Sequence, residues 1–105
     1  MIESEFDMII VLGSIVARPD SFDALLGASL EHVRRSRGEP GCVSHTVQVD
    51  AENPLKLQFV EKWSDGAALA AHFKVPESIQ FVGTARKLGA EAPVIEVFAA
   101  TLQKL

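Results

Sequence analysis

Trp63 and His72 are the two residues whose types and spacing best suit them to chemistry. Trp63 ends an alternating segment typical of a strand, and His72 lies nine residues later, near the middle of a helical segment. Because that helix must turn back over the sheet, the two side chains are expected to meet in a cleft between the layers. An imidazole can act as a general base near neutral pH, and an indole offers a flat apolar face and one N–H donor. The alternative is that Trp63 is a core aromatic residue and that His72 is hydrogen-bonded to a neighbour.

Two further polar side chains lie on strand faces near this pair. Glu61 shares the strand face of Trp63, where a carboxylate can orient a histidine or accept a substrate proton. Burial of an unpaired carboxylate is costly, so Glu61 is expected to have a partner, and a purely structural pairing is the alternative. His45 shares its face with Val43 and Val47, either as a polar contact in the pocket or as a histidine bonded to a neighbouring strand.

The remaining reactive residue types predict neither a metal site nor a cysteine nucleophile. His32, His45 and His72 are far apart in the chain and show no recognisable ligand spacing, so no metal is expected. His32 is expected to face solvent beside Glu31. Cys42, the single cysteine, is expected to be a packed small residue, because alternation places it on the strand face opposite His45. No phosphate-binding glycine loop is present, so no nucleotide cofactor is expected.

Periodicity and turn residues divide the chain into elements that can position these side chains. The first helix carries an apolar stripe formed by Phe22, Leu25, Leu26, Leu30 and Val33. The expected order begins with a strand at 8–17, a helix to about 37 and strands at 42–50 and 55–63. A helix from about 64 that Pro76 breaks, a further helix at about 77–88 and a strand at 94–102 follow. This β-α-β-β-α-β order predicts an α+β, ferredoxin-like fold with a four-stranded antiparallel sheet, as one domain over 1–105.

The first and last strands predict self-association. In this fold the helices cover one face of the sheet, so the other face should be polar in a monomer. Both strands are instead apolar on their two faces, with Met8, Ile10 and Leu12 on one side of the first strand and Val94 and Phe98 on one side of the last. Soluble monomers rarely expose such a surface, so we expect a homodimer packed sheet to sheet.

Composition excludes several classes of protein. Ten basic and fourteen acidic residues among 105 give a net charge of −4, which disfavours nucleic-acid binding. No apolar run is long enough to cross a bilayer, and the N-terminal MIESEFDMII carries acidic rather than basic residues before its apolar run. No membrane contact and a cytoplasmic location are therefore expected.

Four short motifs in the middle of the chain point to a family. They are EPGC after the first helix, NP in the hairpin turn, E-x-W at the end of the third strand, and A-H-F-x-x-P in the second helix. In this order and spacing, between Ser36 and Pro76, they resemble the antibiotic biosynthesis monooxygenase (ABM) family, including its quinol-monooxygenase-like members. The flanking strands and helix extend the resemblance to nearly the whole chain, and it implies a dimeric α+β barrel.

The resemblance also implies an activity and the residues that perform it. It implies a cofactor-independent monooxygenase of a small aromatic, quinol or polyketide-like substrate and dioxygen, with His72 as the proton acceptor and Trp63 as the pocket wall. The same scaffold also supports a non-oxidative isomerase or signal-degrading enzyme, or a non-catalytic ligand-binding or stress-response barrel. Oxygen uptake with a panel of quinols and phenols distinguishes these alternatives.

Departures from the family pattern refine the expected substrate contacts. Phe59 stands where some oxygenase members carry an asparagine, which favours a more apolar ligand, and His45 stands where a tyrosine is frequent. Phe73, beside His72 in the helix motif, is a further candidate contact. Some members use an arginine near Arg86 to meet an anionic group, and an exposed helix charge is the alternative there.

Overall fold

The computed structural model describes residues 7–105 as one α+β domain. The acidic N-terminal residues 1–6, which carry part of the argument against a leader sequence, lie outside the described range. The elements are β1 (Asp7–Val16), α1 (Phe22–Ser36), β2 (Cys42–Val49), β3 (Lys56–Trp63), α2 (Gly66–Lys74), α3 (Pro76–Leu88) and β4 (Val94–Thr101).

The sheet has the predicted ferredoxin-like topology. Its strands are all antiparallel and lie in the order β2-β3-β1-β4. Asp65 begins α2, because its carboxylate accepts a hydrogen bond from the backbone N–H of Ala68 at 2.8 Å. Pro76 then separates α2 from α3 and occupies the first turn of α3, where its missing N–H costs nothing. The predicted break at Pro76 and the further helix after it are therefore confirmed.

The core lies between one face of the sheet and the helices. Alternation along β3 puts Leu57, Phe59, Glu61 and Trp63 on this face. The main core cluster consists of Ile15, Ala17, Leu25, Val33, Leu57, Phe59 and Ala85. A second cluster, formed by Val11, Trp63 and Leu69, lies toward the end of the sheet that holds α2. Glu61 is the one charged residue on the buried face of β3, and it sits between these two clusters.

A β-bulge at the start of β2 corrects the predicted strand faces. Cys42 pairs with Trp63 whereas Ser44 pairs with Lys62, so Val43 is an extra residue in the ladder. Cys42 therefore lies on the same buried face as His45, not on the opposite one, and Val43 is exposed rather than aligned with His45. The simple alternation of two residues per repeat cannot detect an inserted residue.

Gly41 makes the turn into β2. Its φ is +81°, a conformation that favours glycine, and a Cβ at this position would collide with Cβ of Ala68 on α2. The EPGC motif therefore brings the loop after α1 close against α2, which is where Glu39 and His72 meet.

No helix within residues 7–105 packs on the other face of the sheet. Ile10 pairs with Phe98 and Leu12 pairs with Val60 on this face, so apolar side chains lie next to one another across three strands. β4 is exposed on both faces, with Val94 55% and Ile95 54% accessible. The apolar face that the sequence predicted is therefore present, and no described segment of the single chain covers it.

Between residues 7 and 105, no helix combines the length and the apolar composition that crossing a bilayer requires.

Candidate active site

A cavity of about 360 Å³ opens between the sheet and α3. This volume falls within the range of sites for small ligands. Its walls are mainly apolar, and the polar groups on them are few. The polar and charged residues that border it are Ser14, His32, Glu61, His72, Ser78 and Arg86.

His72 borders this cavity from α2 and is held by a carboxylate. Its Nδ1 lies 2.8 Å from Oε1 of Glu39, and the hydroxyl of Ser78 lies 3.5 Å from the same nitrogen. An ionised carboxylate only accepts hydrogen bonds, so the Nδ1–H donates to Glu39 and the unshared pair of the ring is on Nε2. His72 can therefore accept a proton from a group in the cavity.

Glu61 is buried beside two nitrogen donors. The indole Nε1–H of Trp63 donates to Oε1 of Glu61 at 2.9 Å, and Nε2 of His45 lies 3.3 Å from the same oxygen. Burial by itself raises the pKa of Glu61, but His45 and the Trp63 N–H outweigh it and lower that pKa below its ordinary value. Glu61 therefore has the expected partner, and it is an anion at neutral pH.

Trp63 and His45 have the second of the two places considered for each: Trp63 is a core aromatic residue, and His45 lies beside Glu61 on the neighbouring strand. Both side chains are completely buried, and neither borders the cavity. The ring of Trp63 lies behind that of His72, with the centroids 4.6 Å apart. Trp63 therefore supports His72 and Glu61, and a substrate in this cavity would not touch it.

His32 corrects the expectation that it faces solvent. It is buried, its ring stacks on Phe81 with the centroids 4.2 Å apart, and Nδ1 lies 2.7 Å from a guanidinium nitrogen of Arg35. Burial, followed by His45, His72 and Arg35, lowers the pKa of His32 to about 3. The ring is therefore neutral at pH 7, and it borders the cavity.

The pattern that would have revealed His32 is present on α1. Its buried residues are Leu25, Ser29, His32, Val33 and Ser36, which follow helical spacing. The two serines are completely buried. Serine is usually counted as polar, so the apolar stripe leaves out the buried positions of Ser29 and Ser36. The stripe therefore does not indicate that the helix face carrying His32 is buried.

The three histidines converge although the sequence separates them widely. They come from α1, β2 and α2, and the ring centroids of His32, His45 and His72 lie 5.3 to 5.6 Å apart. The absence of a recognisable ligand spacing along the chain therefore did not indicate that the three rings are far apart, since chain spacing does not limit contacts between different elements.

The other predicted contacts lie at the cavity. Phe59 forms part of its floor on β3, Phe73 borders it from α2, and Arg86 borders it from α3 with an exposed side chain. Phe81 and Ser78, which the sequence did not single out, border it as well.

Cys42 has the opposite properties from a nucleophile. Burial, followed by Glu39 and Glu61, raises the pKa of its thiol above the ordinary value. It packs against the cluster of Val11, Trp63 and Leu69, as expected for a small apolar residue.

Comparison with solved structures shows where this fold occurs. A conserved protein from Bacteroides thetaiotaomicron, described as a possible oxidoreductase, superposes with a TM-score of 0.84 at 22% identity over 90% of this chain and 99% of that one. Rv0793 from Mycobacterium tuberculosis superposes with a TM-score of 0.85 at 23% identity, over 92% of this chain and 97% of that one. A structure named antibiotic biosynthesis monooxygenase superposes with a TM-score of 0.82 at 24% identity, over 90% of this chain and 99% of that one. At these identities the likeness concerns the fold.

Sequence comparison adds a relative and a family. The uncharacterized protein sll1783 from Synechocystis sp. is 33% identical over 92 residues, which are 88% of this chain and 63% of sll1783. This chain thus spans less than two thirds of that relative. The family model described as antibiotic biosynthesis monooxygenase matches residues 8–84, which include the residues of β1 from Met8 and most of α3. The chain therefore belongs to the antibiotic biosynthesis monooxygenase family.

Proposed function

We propose that this chain is a cofactor-independent monooxygenase that oxidises a small electron-rich phenol or quinol with dioxygen in the cavity under α3. The observation that supports this most strongly is His72 at the cavity wall, with Nδ1 bound to Glu39 at 2.8 Å and Nε2 free to accept a proton. The family supports the reaction type, and the cavity supports the size of the substrate.

The walls of the cavity favour a flat apolar ring. Phe59 and Phe81 lie edge to face with their centroids 5.8 Å apart, and both border the cavity with Phe73. Aromatic rings bind well against other rings in such offset or perpendicular arrangements. Apolar walls also leave a phenolate oxygen few partners, so the substrate is expected to place its hydroxyl among His32, Glu61 and His72.

The proposed reaction begins with proton transfer from the phenol to Nε2 of His72. The phenolate is a better electron donor than the phenol, and it passes one electron to dioxygen. The two radicals then join through a C–O bond at the ring carbon para to the hydroxyl. His72 first returns its proton to the outer peroxide oxygen, which gives a hydroperoxide. The neutral ring then accepts the proton on that carbon while the O–O bond breaks and hydroxide departs, and it passes this proton to the hydroxide to form water. Phenol and dioxygen thereby give a quinone and water.

Isotope labelling with oxygen uptake tests this proposal. Purified protein is mixed with a panel of naphthols, anthrone-like phenols and quinols under ¹⁸O₂, and the products are analysed by mass spectrometry. We expect oxygen consumption and one labelled oxygen in the quinone. Turnover that does not consume oxygen would favour the isomerase alternative, and binding without turnover would favour the ligand-binding barrel.

We further infer that two copies of the chain pack through the open face of the sheet. The apolar pairs Ile10–Phe98 and Leu12–Val60 lie on that face, and soluble monomers seldom leave such a surface exposed. A partner copy would also cover β4, whose residues next to the cavity include Val94 and Ile95.

A further inference from the structure

All three histidines of the chain meet at one place inside the protein. His32, His45 and His72 are separated by 13 and 27 residues, yet each presents a ring nitrogen within 4.8 Å of the nitrogens of the other two. All three side chains are buried. A shared ligand would stabilise three buried imidazoles whose ring nitrogens converge in this way.

His45 supplies a second, independent observation. It is completely buried, and within residues 7–105 neither of its ring nitrogens has a hydrogen bond of ordinary geometry. A buried polar atom without a partner costs about 1–3 kcal/mol, so such atoms are uncommon in folded proteins. The nearest polar contact is Oε1 of Glu61, 3.3 Å from Nε2 of His45. Among the described residues, Nδ1 of His45 thus has no partner, and Nε2 has only this long contact with a carboxylate.

The surroundings match those of a metal-binding histidine. Glu39 takes the Nδ1–H of His72, which is the usual outer partner of a histidine that binds an ion through Nε2. The carboxylate of Glu61 lies beside the cluster and brings negative charge to it. His32, Glu61 and His72 also border the cavity, which provides a route for an ion to enter.

We propose that His32, His45 and His72 bind one divalent transition-metal ion, with Glu61 as the neighbouring carboxylate and one coordination position directed to the cavity. Imidazole nitrogens suit Zn²⁺, Cu²⁺, Ni²⁺ and Fe²⁺. Ligand nitrogens bound tetrahedrally to zinc stand roughly 3.4 Å apart. The present spacing of up to 4.8 Å therefore closes by roughly 1.4 Å on binding, through rotation of the rings.

Arg35 opposes this ion. Its guanidinium donates to Nδ1 of His32 at 2.7 Å, so the neutral ring carries its proton on Nε2. Binding an ion through Nε2 moves that proton to Nδ1, where it faces the guanidinium, and the contact must break. Replacement of Arg35 by methionine removes both the charge and the competing donor, so Arg35→Met is expected to tighten binding on the order of tenfold.

The ion and the proposed base compete for one nitrogen. With Zn²⁺ on Nε2, His72 has no unshared pair for a substrate proton, so Zn²⁺ is expected to inhibit the proposed oxidation. Measurements of Zn²⁺ binding need no substrate. Their failure would therefore be distinguishable from a failure of the proposed function.

The first experiment uses the unaltered protein, treated with a chelator and then titrated with Zn²⁺. Calorimetry is expected to give one ion per chain. Ring-nitrogen NMR, simple here because the chain has three histidines, is expected to show all three rings shifting together up to one equivalent. Co²⁺ in place of Zn²⁺ should give the visible absorption of a tetrahedral ion. The absence of binding tighter than about 0.1 mM, or a shift of one ring alone, would overturn the site.

Variants assign the site to the cluster. His45→Gln and His32→Gln are each expected to weaken Zn²⁺ binding at least about tenfold, the loss of one ligand bond's net stabilisation. Glu31→Gln is the matched control, because Glu31 precedes His32 on α1 and is exposed. Cys42→Ser controls for binding by the thiol. Unchanged affinity in the folded histidine variants, or lost affinity in Cys42→Ser, would place the ion elsewhere.

Discussion

Glu39 and His72, 33 residues apart, are joined by a 2.8 Å contact between Oε1 and Nδ1. One residue lies in the loop before β2 and the other on α2, and the close approach of Gly41 to Ala68 holds the two segments together. The carboxylate decides which ring nitrogen carries the proton, and it thereby presents Nε2 to the cavity.

If His72 is the base, His72→Ala is expected to lower turnover by roughly 10²-fold or more, the usual contribution of a positioned proton acceptor. The fold should survive with reduced stability, because alanine is the best helix former but the change leaves Glu39 without its 2.8 Å partner. The limb of the pH–rate profile that reports the base should disappear in the variant. Lys74→Ala, exposed on the same helix, is the control and should match the unaltered protein. A lower melting temperature with unchanged turnover per folded molecule would remove His72 from the reaction.

Trp63→Phe tests whether Trp63 is a supporting residue or a pocket wall. The change leaves Glu61 without its 2.9 Å indole donor, so the free energy of unfolding should fall by about 1–3 kcal/mol. KM should change little, because Trp63 does not border the cavity. Urea denaturation and steady-state kinetics measure the two effects, and a double-mutant cycle with Glu61→Gln isolates the contact. A large rise in KM at unchanged stability would return Trp63 to the pocket wall.

Acid should destabilise the protein through His32. Its pKa falls from 6.5 in the unfolded chain to about 3 in the folded protein, so between these values the unfolded chain holds the extra proton. Stability is therefore fully present above pH 6.5 and is lost as the pH falls toward 3, at about 1.4 kcal/mol per pH unit at most.

Urea denaturation between pH 6.5 and pH 5 measures this slope. The pKa of Glu61 is lowered from 4.5, so protonation of Glu61 reduces the free energy of unfolding only below pH 5. His32→Phe keeps the stack on Phe81 and removes the titrating group, so its slope should be shallower by about one proton. Equal slopes in the two proteins would show that His32 is not the titrating group.

Gly83 allows the cavity to be filled without a clash. It lies on α3 at the cavity, and a Cβ built there meets no atom within 4 Å. Gly83→Leu should stabilise the helix by up to about 1 kcal/mol while weakening ligand binding on the order of tenfold. Gly27→Leu, at an open position on α1 away from the cavity, should give the stabilisation alone. Equal ligand affinity in both variants would mean that the ligand binds elsewhere.

Phe98→Glu tests the homodimer. Phe98 lies on the open face of the sheet and is 45% exposed in the single chain, so a charge there need not unfold the protein. Light scattering after size-exclusion chromatography should give twice the chain mass of 11.4 kDa for the unaltered protein and a single chain mass for the variant. Ala24→Glu, on the exposed side of α1, should remain dimeric. A clean monomer of the unaltered protein at micromolar concentration would contradict the dimer.

Local patterns were sufficient to predict the fold and the helix that carries His72. Alternation in β3, the Asp65 cap and the Pro76 break are properties of neighbouring residues, and so are the apolar faces of β1 and β4. These features survive in the folded protein because each is determined within a few residues. The bulge at Val43 was not predicted, because one inserted residue reverses the sheet face of the residues before it without altering the composition of the strand.

The site depended on contacts that no local pattern contains. His32 and His45 reach His72 only because the split βαβ topology stacks α1 and α2 over the same face of β2 and β3. Glu39 reaches His72 because Gly41 permits a tight approach that the sequence around either residue does not specify. Trp63 lies in the interior and not on the predicted cavity wall for the same reason. Helix α2 packs on the sheet with His72 between the indole and the cavity. The spacing of residues along the chain determines which of them share a face of one helix or strand, whereas the packing of helices and strands determines which side chains meet.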